Sequence, residues 1–171
     1  MSWMIEAEEN LKQLTNIQGQ TLFGIPVQQT WTALYMLEKL ITNQKIEQIF
    51  ELGTGDGALS LFFGYRDERF WTYDIKNNQD VFSAKIINEI KFYLKVNWNS
   101  KSMVFCDNGD KPREIRTYAP LLKPGDFILA HDYRRPDGVP ENFDYKSLGL
   151  ETYRQPEWDK LKTYILCLRK K

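Results

Sequence analysis

The stretch "QIFELGTGDGALSLFF", Gln48 to Phe63, places two apolar runs on either side of a turn that holds Gly53, Gly55 and Gly57. An apolar run that stops at a glycine cluster and resumes at helical spacing reads as strand, tight turn, helix, with Ile49, Phe50 and Leu52 in the strand. Glycine has no β-carbon, so these three positions allow positive φ and let a ligand approach the main chain closely.

The rest of the chain repeats the alternation. Residues 3 to about 15, "WMIEAEENLKQLT", put Met4, Ala7, Leu11 and Leu14 on one helical face. "FGIPVQQT" reads as a loop, and Trp31 to Ile41 as a helix leading into the strand at Gln48–Leu52. After the glycine turn, Ala58 to Phe63 continue as a helix ended by Gly64, and "RFWTYDI" is a second strand closing on Asp74. Phe82, Ile86 and Ile90 lie four apart and predict a helix over Asp80 to Ile90. From Lys91 the period changes, since Phe92, Leu94, Val96 and Trp98 alternate, and a third strand is predicted there. "SMVFCD" and "DFILAHD" are buried strands joined by a helix in "KPREIRTYAPLL", and "LGLETYR" and "TYILCLR" form a last pair.

This order predicts an α/β fold: a Rossmann-like open, mostly parallel sheet with helices on both faces and an antiparallel C-terminal strand pair. The span between strands 2 and 4 is short, which makes it a compact variant. Residues 1–171 are expected to form a single domain, with 1–45 an N-terminal helical cap and lead-in and 46–171 the sheet core. At 171 residues and 42% apolar composition, the chain has material for one core.

Lys and Arg together match Asp and Glu at 23 each, so no global field draws the protein to nucleic acid or an anionic membrane. A small molecule is the expected partner. Cys106 and Cys167 sit in apolar strand-like runs, there is no signal pattern at the N-terminus, and no apolar run is long enough to cross a bilayer. A cytoplasmic location is therefore expected.

Open sheets of this kind bind ligands outside the carboxyl ends of their strands. Glu51 and Gly53 end the first strand, Asp74 the second, Asp107 the fourth, and His131 with Asp132 the fifth. "GTGDGA" also satisfies the GxGxxA form of a nicotinamide fingerprint, with Asp74 about 20 residues on. Glu51 and Asp56 flank the turn, however, and two carboxylates repel a diphosphate while favouring a cationic ligand.

On "ELGTG" and Asp74 the chain resembles the class I S-adenosylmethionine-dependent methyltransferases. "MVFCDNGDKPREIRTYAPLLKPGDFILAHDY" and the lead-in "GIPVQQTWTALYMLEKLI" are similar to the small-molecule group of cephalosporin hydroxylase and macrocin O-methyltransferase, over roughly Gly24 to Tyr133. The resemblance implies S-adenosylmethionine as cofactor, bound by Glu51, Gly53, Thr54, Gly55, Gly57, Asp74, Ile75 and Asp107. In that reading Asp74 takes both ribose hydroxyls, and the turn cradles the methionine part.

Members of the group that need a divalent metal, Mg or Mn, hold it with an aspartate after the fourth strand and an acidic pair after the fifth. The corresponding positions here are Asp107, His131 and Asp132, so the pair carries an imidazole. The same three are the catalytic candidates, with His131, the only histidine, as general base. Asp110 stands where the group has a histidine. The expected activity is methyl transfer to a hydroxyl of a small molecule. The alternatives are a cofactor-binding protein without turnover and, third, a nicotinamide-dependent oxidoreductase. Few insertions are present to build an acceptor pocket, which leaves room for a homodimer to complete it.

Overall fold

The computed structural model describes residues 21–65 and 69–171. The helix expected over residues 3 to about 15 lies outside them. β1 (Thr21–Leu22) and β2 (Ile25–Pro26) pair as a short antiparallel ribbon that leads into α1 (Trp31–Gln44). Thr30 caps α1 by accepting a hydrogen bond from Ala33 N at 3.0 Å, and Lys45 ends it in the left-handed conformation.

The core follows as β3 (Ile46–Leu52), α2 (Ala58–Gly64), β4 (Arg69–Tyr73), α3 (Ala84–Val96), β5 (Lys101–Cys106), α4 (Lys111–Tyr118), β6 (Phe127–Ala130), β7 (Leu150–Thr152), α5 (Gln155–Lys160) and β8 (Leu166–Lys170). Six strands form one sheet in the order β4-β3-β5-β6-β8-β7. β4, β3, β5 and β6 are parallel, while β8 runs antiparallel to both β6 and β7. This is the Rossmann-like open sheet with an antiparallel C-terminal pair that the alternation predicts. From β3 the chain crosses to one side and from β5 to the other, so the switch point falls between these two strands.

Alternating residues on each strand bury opposite faces. Phe50, Leu52, Val104, Cys106, Ile128 and Ala130 pack with Ile86, Ile90 and Leu94 of α3 and Ile115 and Tyr118 of α4. Ile49, Met103, Phe105, Phe127 and Leu129 pack on the other side, against Leu34, Leu37 and Ile41 of α1 and Leu59 and Phe63 of α2. Both faces are thus covered, which is why the central strands read as nearly unbroken apolar runs.

One expected strand is not there. Residues 91–96 continue α3, and 97–100 form a turn into β5. The alternation of Phe92, Leu94 and Val96 is real, but Ile86, Ile90 and Leu94 also fall four apart and are the residues that α3 buries. Phe92 and Val96 point outward, 60% and 62% exposed. Between β4 and β5 the chain thus has a short 3-10 turn, Ile75–Asn77, and the single α-helix α3, with no strand, and β4 is left at the sheet edge.

Cys106 and Cys167 are buried and unpaired. Among the described residues, no helix is long and apolar enough to cross a membrane.

Candidate functional site

Three rungs of the parallel ladder continue past the strand ends. Gly53 N donates to Tyr73 O at 2.7 Å, Asp107 N to Leu52 O at 2.7 Å, and His131 N to Cys106 O at 3.2 Å. The ends of β3, β5 and β6 are thereby set side by side at the carboxyl edge of the sheet. Gly53 has φ +106°, and a β-carbon there would overlap the Asp107 main chain, 2.6 Å from its carbonyl carbon. The glycine lets the β3 and β5 ends close against each other. Gly55 and Gly57 also have positive φ, +55° and +90°, but a β-carbon on either would enter open space.

That space is a cavity of about 260 Å³. Gly53, Thr54, Gly55, Asp56 and Gly57 form its floor, with Asp74 and Ile75 from the end of β4, Asp107 and Asn108 from the end of β5, and Gln28 and Gln29 from the lead-in loop. Asp74 is buried, and it pins the turn: Oδ2 accepts from Gly55 N at 2.9 Å, and Oδ1 accepts from Lys76 N at 2.8 Å. Each oxygen keeps a second lone pair. Ile75, next along, is 63% exposed and offers the cavity an apolar face. Thr54 turns its hydroxyl away to Thr72, at 2.6 Å.

Glu51 does not border the cavity. It lies on the α2 side of β3, fully buried, where Oε2 accepts hydrogen bonds from Ser60 and Thr72 and Oε1 has no partner. Burial pushes its carboxyl up to about 7, against the pull of the two hydroxyls, and Asp107 and Asp74 add to the rise. Glu51 therefore ties β3 to α2 and β4 beneath the turn. Its place follows from strand parity, since it shares a face with Ile49.

The second group of candidates meets behind the cavity. Asp107, His131 and Asp132 each bring a ligand-type atom within 4.8 Å of the others. His131 Nδ1 is 3.3 Å from Asp107 Oδ1 and 3.6 Å from Asp132 Oδ2. Asp132 holds its position with φ +57°, and Gly138 packs so closely on its carbonyl that no β-carbon would fit. Burial opposes a charge on His131, but the two carboxylates outweigh it and raise the imidazole above its ordinary value. Asp107 belongs to both groups: it borders the cavity, and its Oδ2 accepts from Gln29 Nε2 at 3.1 Å.

A fourth residue completes the cluster. Lys111, first in α4, places Nζ 2.9 Å from Asp132 Oδ2 and 3.5 Å from Asp107 Oδ1, with its side chain 7% exposed. Burial disfavours the ammonium, yet Asp132 and Asp107 raise it above the ordinary lysine value. Asp110 caps α4, accepting from Arg113 N at 3.1 Å, and is not among the residues that line the cavity. Arg134 pairs with Glu141 at 2.9 Å and Asp159 at 3.1 Å, away from the cavity lining.

Sequence reasoning missed Gln29 and Lys111. Gln29 reaches Asp107 across 78 positions, which no local pattern reports. Lys111 lies four residues beyond Asp107 in "DNGDK", a spacing that was open to notice.

No protein-family model matches the chain, and no curated protein matches it. Among solved structures, a crystal structure of a mutant of MtNAS is similar at 13% identity and a TM-score of 0.48, covering 80% of this chain and 59% of that one. A candidate methyltransferase from Thermobifida fusca YX is similar at 13% identity and a TM-score of 0.33, covering 76% and 55%. The chain spans a little over half the length of each. Likeness so distant carries no chemistry across.

Proposed function

We propose that the protein is an S-adenosylmethionine-dependent methyltransferase acting on a hydroxyl of a small molecule. The observation that carries this reading is the meeting of the glycine turn with three carboxylates, Asp56, Asp74 and Asp107, around one cavity. Lys76 also lines the cavity and Lys111 pairs with Asp107, but the acids still outnumber these cations, which disfavours a pyrophosphate and favours a ligand that carries an ammonium and a sulfonium. The residues fit the cofactor: a main-chain cradle free of β-carbons, lone pairs on Asp74 for a pair of ribose hydroxyls, and the exposed Ile75 as a face for an adenine. S-adenosylmethionine supplies the reactive methyl when bound.

The chain's own task is to hold the acceptor oxygen in line and take its proton. Asp107 is the cluster residue that borders the cavity, and His131 stands 3.3 Å from its Oδ1. A proton leaving an acceptor hydroxyl passes in this reading to Asp107, whose Oδ1 faces His131 Nδ1. A second reading, cofactor binding without turnover, draws on the pairing of Asp107 and Asp132 with Lys111, which leaves both carboxylates partly neutralised.

Calorimetric titration with S-adenosylmethionine, its demethylated product and NAD is the test. The first two are expected to bind and NAD is not. Asp74→Ala is expected to weaken binding roughly 10- to 100-fold, or about 1.5–3 kcal/mol. Because Asp74 also pins Gly55 N, Asp74→Asn, which keeps one acceptor oxygen, should fall between parent and Asp74→Ala. Unchanged affinity in Asp74→Ala, or NAD binding as tight as the sulfonium cofactor, overturns the assignment.

A further inference from the structure

The geometry points to Lys111 as the resident cation of the Asp107–His131–Asp132 cluster, standing where a divalent metal would have to sit, so that the cluster works without a metal ion. The three ligand-type side chains alone would suit Mn or a similar ion that accepts a nitrogen ligand. They are not alone. Lys111 Nζ contacts the same two oxygens, Asp132 Oδ2 at 2.9 Å and Asp107 Oδ1 at 3.5 Å, that face His131 Nδ1 at 3.6 and 3.3 Å. Both carboxylates are thus bridged twice by nitrogen.

An ion bound to those oxygens at about 2.1 Å would overlap the ammonium or lie against it, with like charges in contact. The lysine has little room to withdraw. Its side chain is 7% exposed, and it opens α4 directly after the cap at Asp110. Lys111 already cancels one of the two carboxylate charges, and His131 Nδ1 faces the same two oxygens. A divalent ion would find those oxygens already engaged and would lie against a fixed positive charge. The lysine also orients Asp107, whose other oxygen is held by Gln29, so the carboxylate at the cavity edge is fixed at both ends.

Mn²⁺ alone is the probe, with water-proton relaxation or heat as the readout, so the outcome does not depend on which cofactor fills the cavity. The parent is expected to show no site filled at millimolar Mn²⁺. Lys111→Ala removes the ammonium and is expected to gain a site at least tenfold tighter, lost again in the Lys111→Ala, Asp132→Ala double variant. Lys111→Arg keeps the charge and should exclude the ion as the parent does. Lys111→Gln serves the same comparison if Lys111→Ala does not fold, judged by circular dichroism. Stoichiometric Mn²⁺ binding to the parent that Asp132→Ala abolishes would overturn the proposal. So would a folded lysine-free variant that binds Mn²⁺ no better than the parent.

Discussion

Gly53 and Gly55 stand two positions apart and are required for different reasons. At Gly53 a β-carbon would collide with the Asp107 main chain, and φ is +106°. At Gly55 the surroundings are open and only φ, +55°, resists a side chain. Gly53→Ala is therefore expected to destabilise the fold by about 2–4 kcal/mol, because backbone must move. Gly55→Ala should cost only about 1–2 kcal/mol, the left-handed penalty, and Gly55→Val should abolish ligand binding in a protein that still folds. Urea denaturation beside calorimetric binding separates the two effects, and equal stability losses at both positions would contradict the account. Glu51 carries a pH signature. Its folded value, about 7, lies above the ordinary glutamate value of 4.5, so the folded state holds one more proton than the unfolded state between these limits. Its stabilising contribution is then full below about 4.5 and is lost as pH rises through 7, by about 3 kcal/mol at most. Glu51→Gln mimics the protonated form. The variant should match the parent near pH 4 and exceed it in stability at pH 8, and a pH-independent difference would refute the role given to burial.

Among the elements, α3 is the one whose sequence supports two periods at once. Phe92, Leu94 and Val96 alternate as in a strand, while Ile86, Ile90 and Leu94 recur every four residues as in a helix. The helix prevails because Ser83 caps it and a single buried stripe then packs on Phe50, Leu52 and Val104, where a strand would bury only alternate residues at the edge of the sheet. Leu94→Ala is expected to cost about 2–4 kcal/mol and Phe92→Ala within about 0.5 kcal/mol, measured by chemical denaturation. A strand would put both side chains on one face and make the two losses comparable. α2 was legible for the opposite reason: a glycine turn before it and an apolar face at Ala58, Leu59 and Phe63 leave one period only.

At the scale of the whole molecule, the two apolar layers lie on opposite faces of one sheet and share its strands. Loss of either layer strips a face from β3, β5 and β6 together. Unfolding is therefore expected as one cooperative step, with circular dichroism and tryptophan fluorescence giving coincident urea transitions; two separated transitions would divide the single domain expected from the chain's length. The fold class was readable in advance because it rests on local constraints. A glycine turn between strand and helix, and an acid where an apolar run stops, act through each residue's own conformational freedom and the period of its neighbours. What lay beyond reach depends on which strands become neighbours and in what register. Strand parity turns Glu51 toward Ser60 and Thr72 and away from the cavity, and the β5–β6 pairing brings His131 and Asp132 onto Asp107. The same pairing closes Asp132 onto Lys111, 21 positions away, while the lead-in loop delivers Gln29. The sequence by itself determined that acids and glycines would line the carboxyl edge of a parallel sheet. Only the tertiary structure decided which acids face the cavity and which cation they hold, because those contacts join residues distant along the chain, where a side chain's partner is set by sheet order and register.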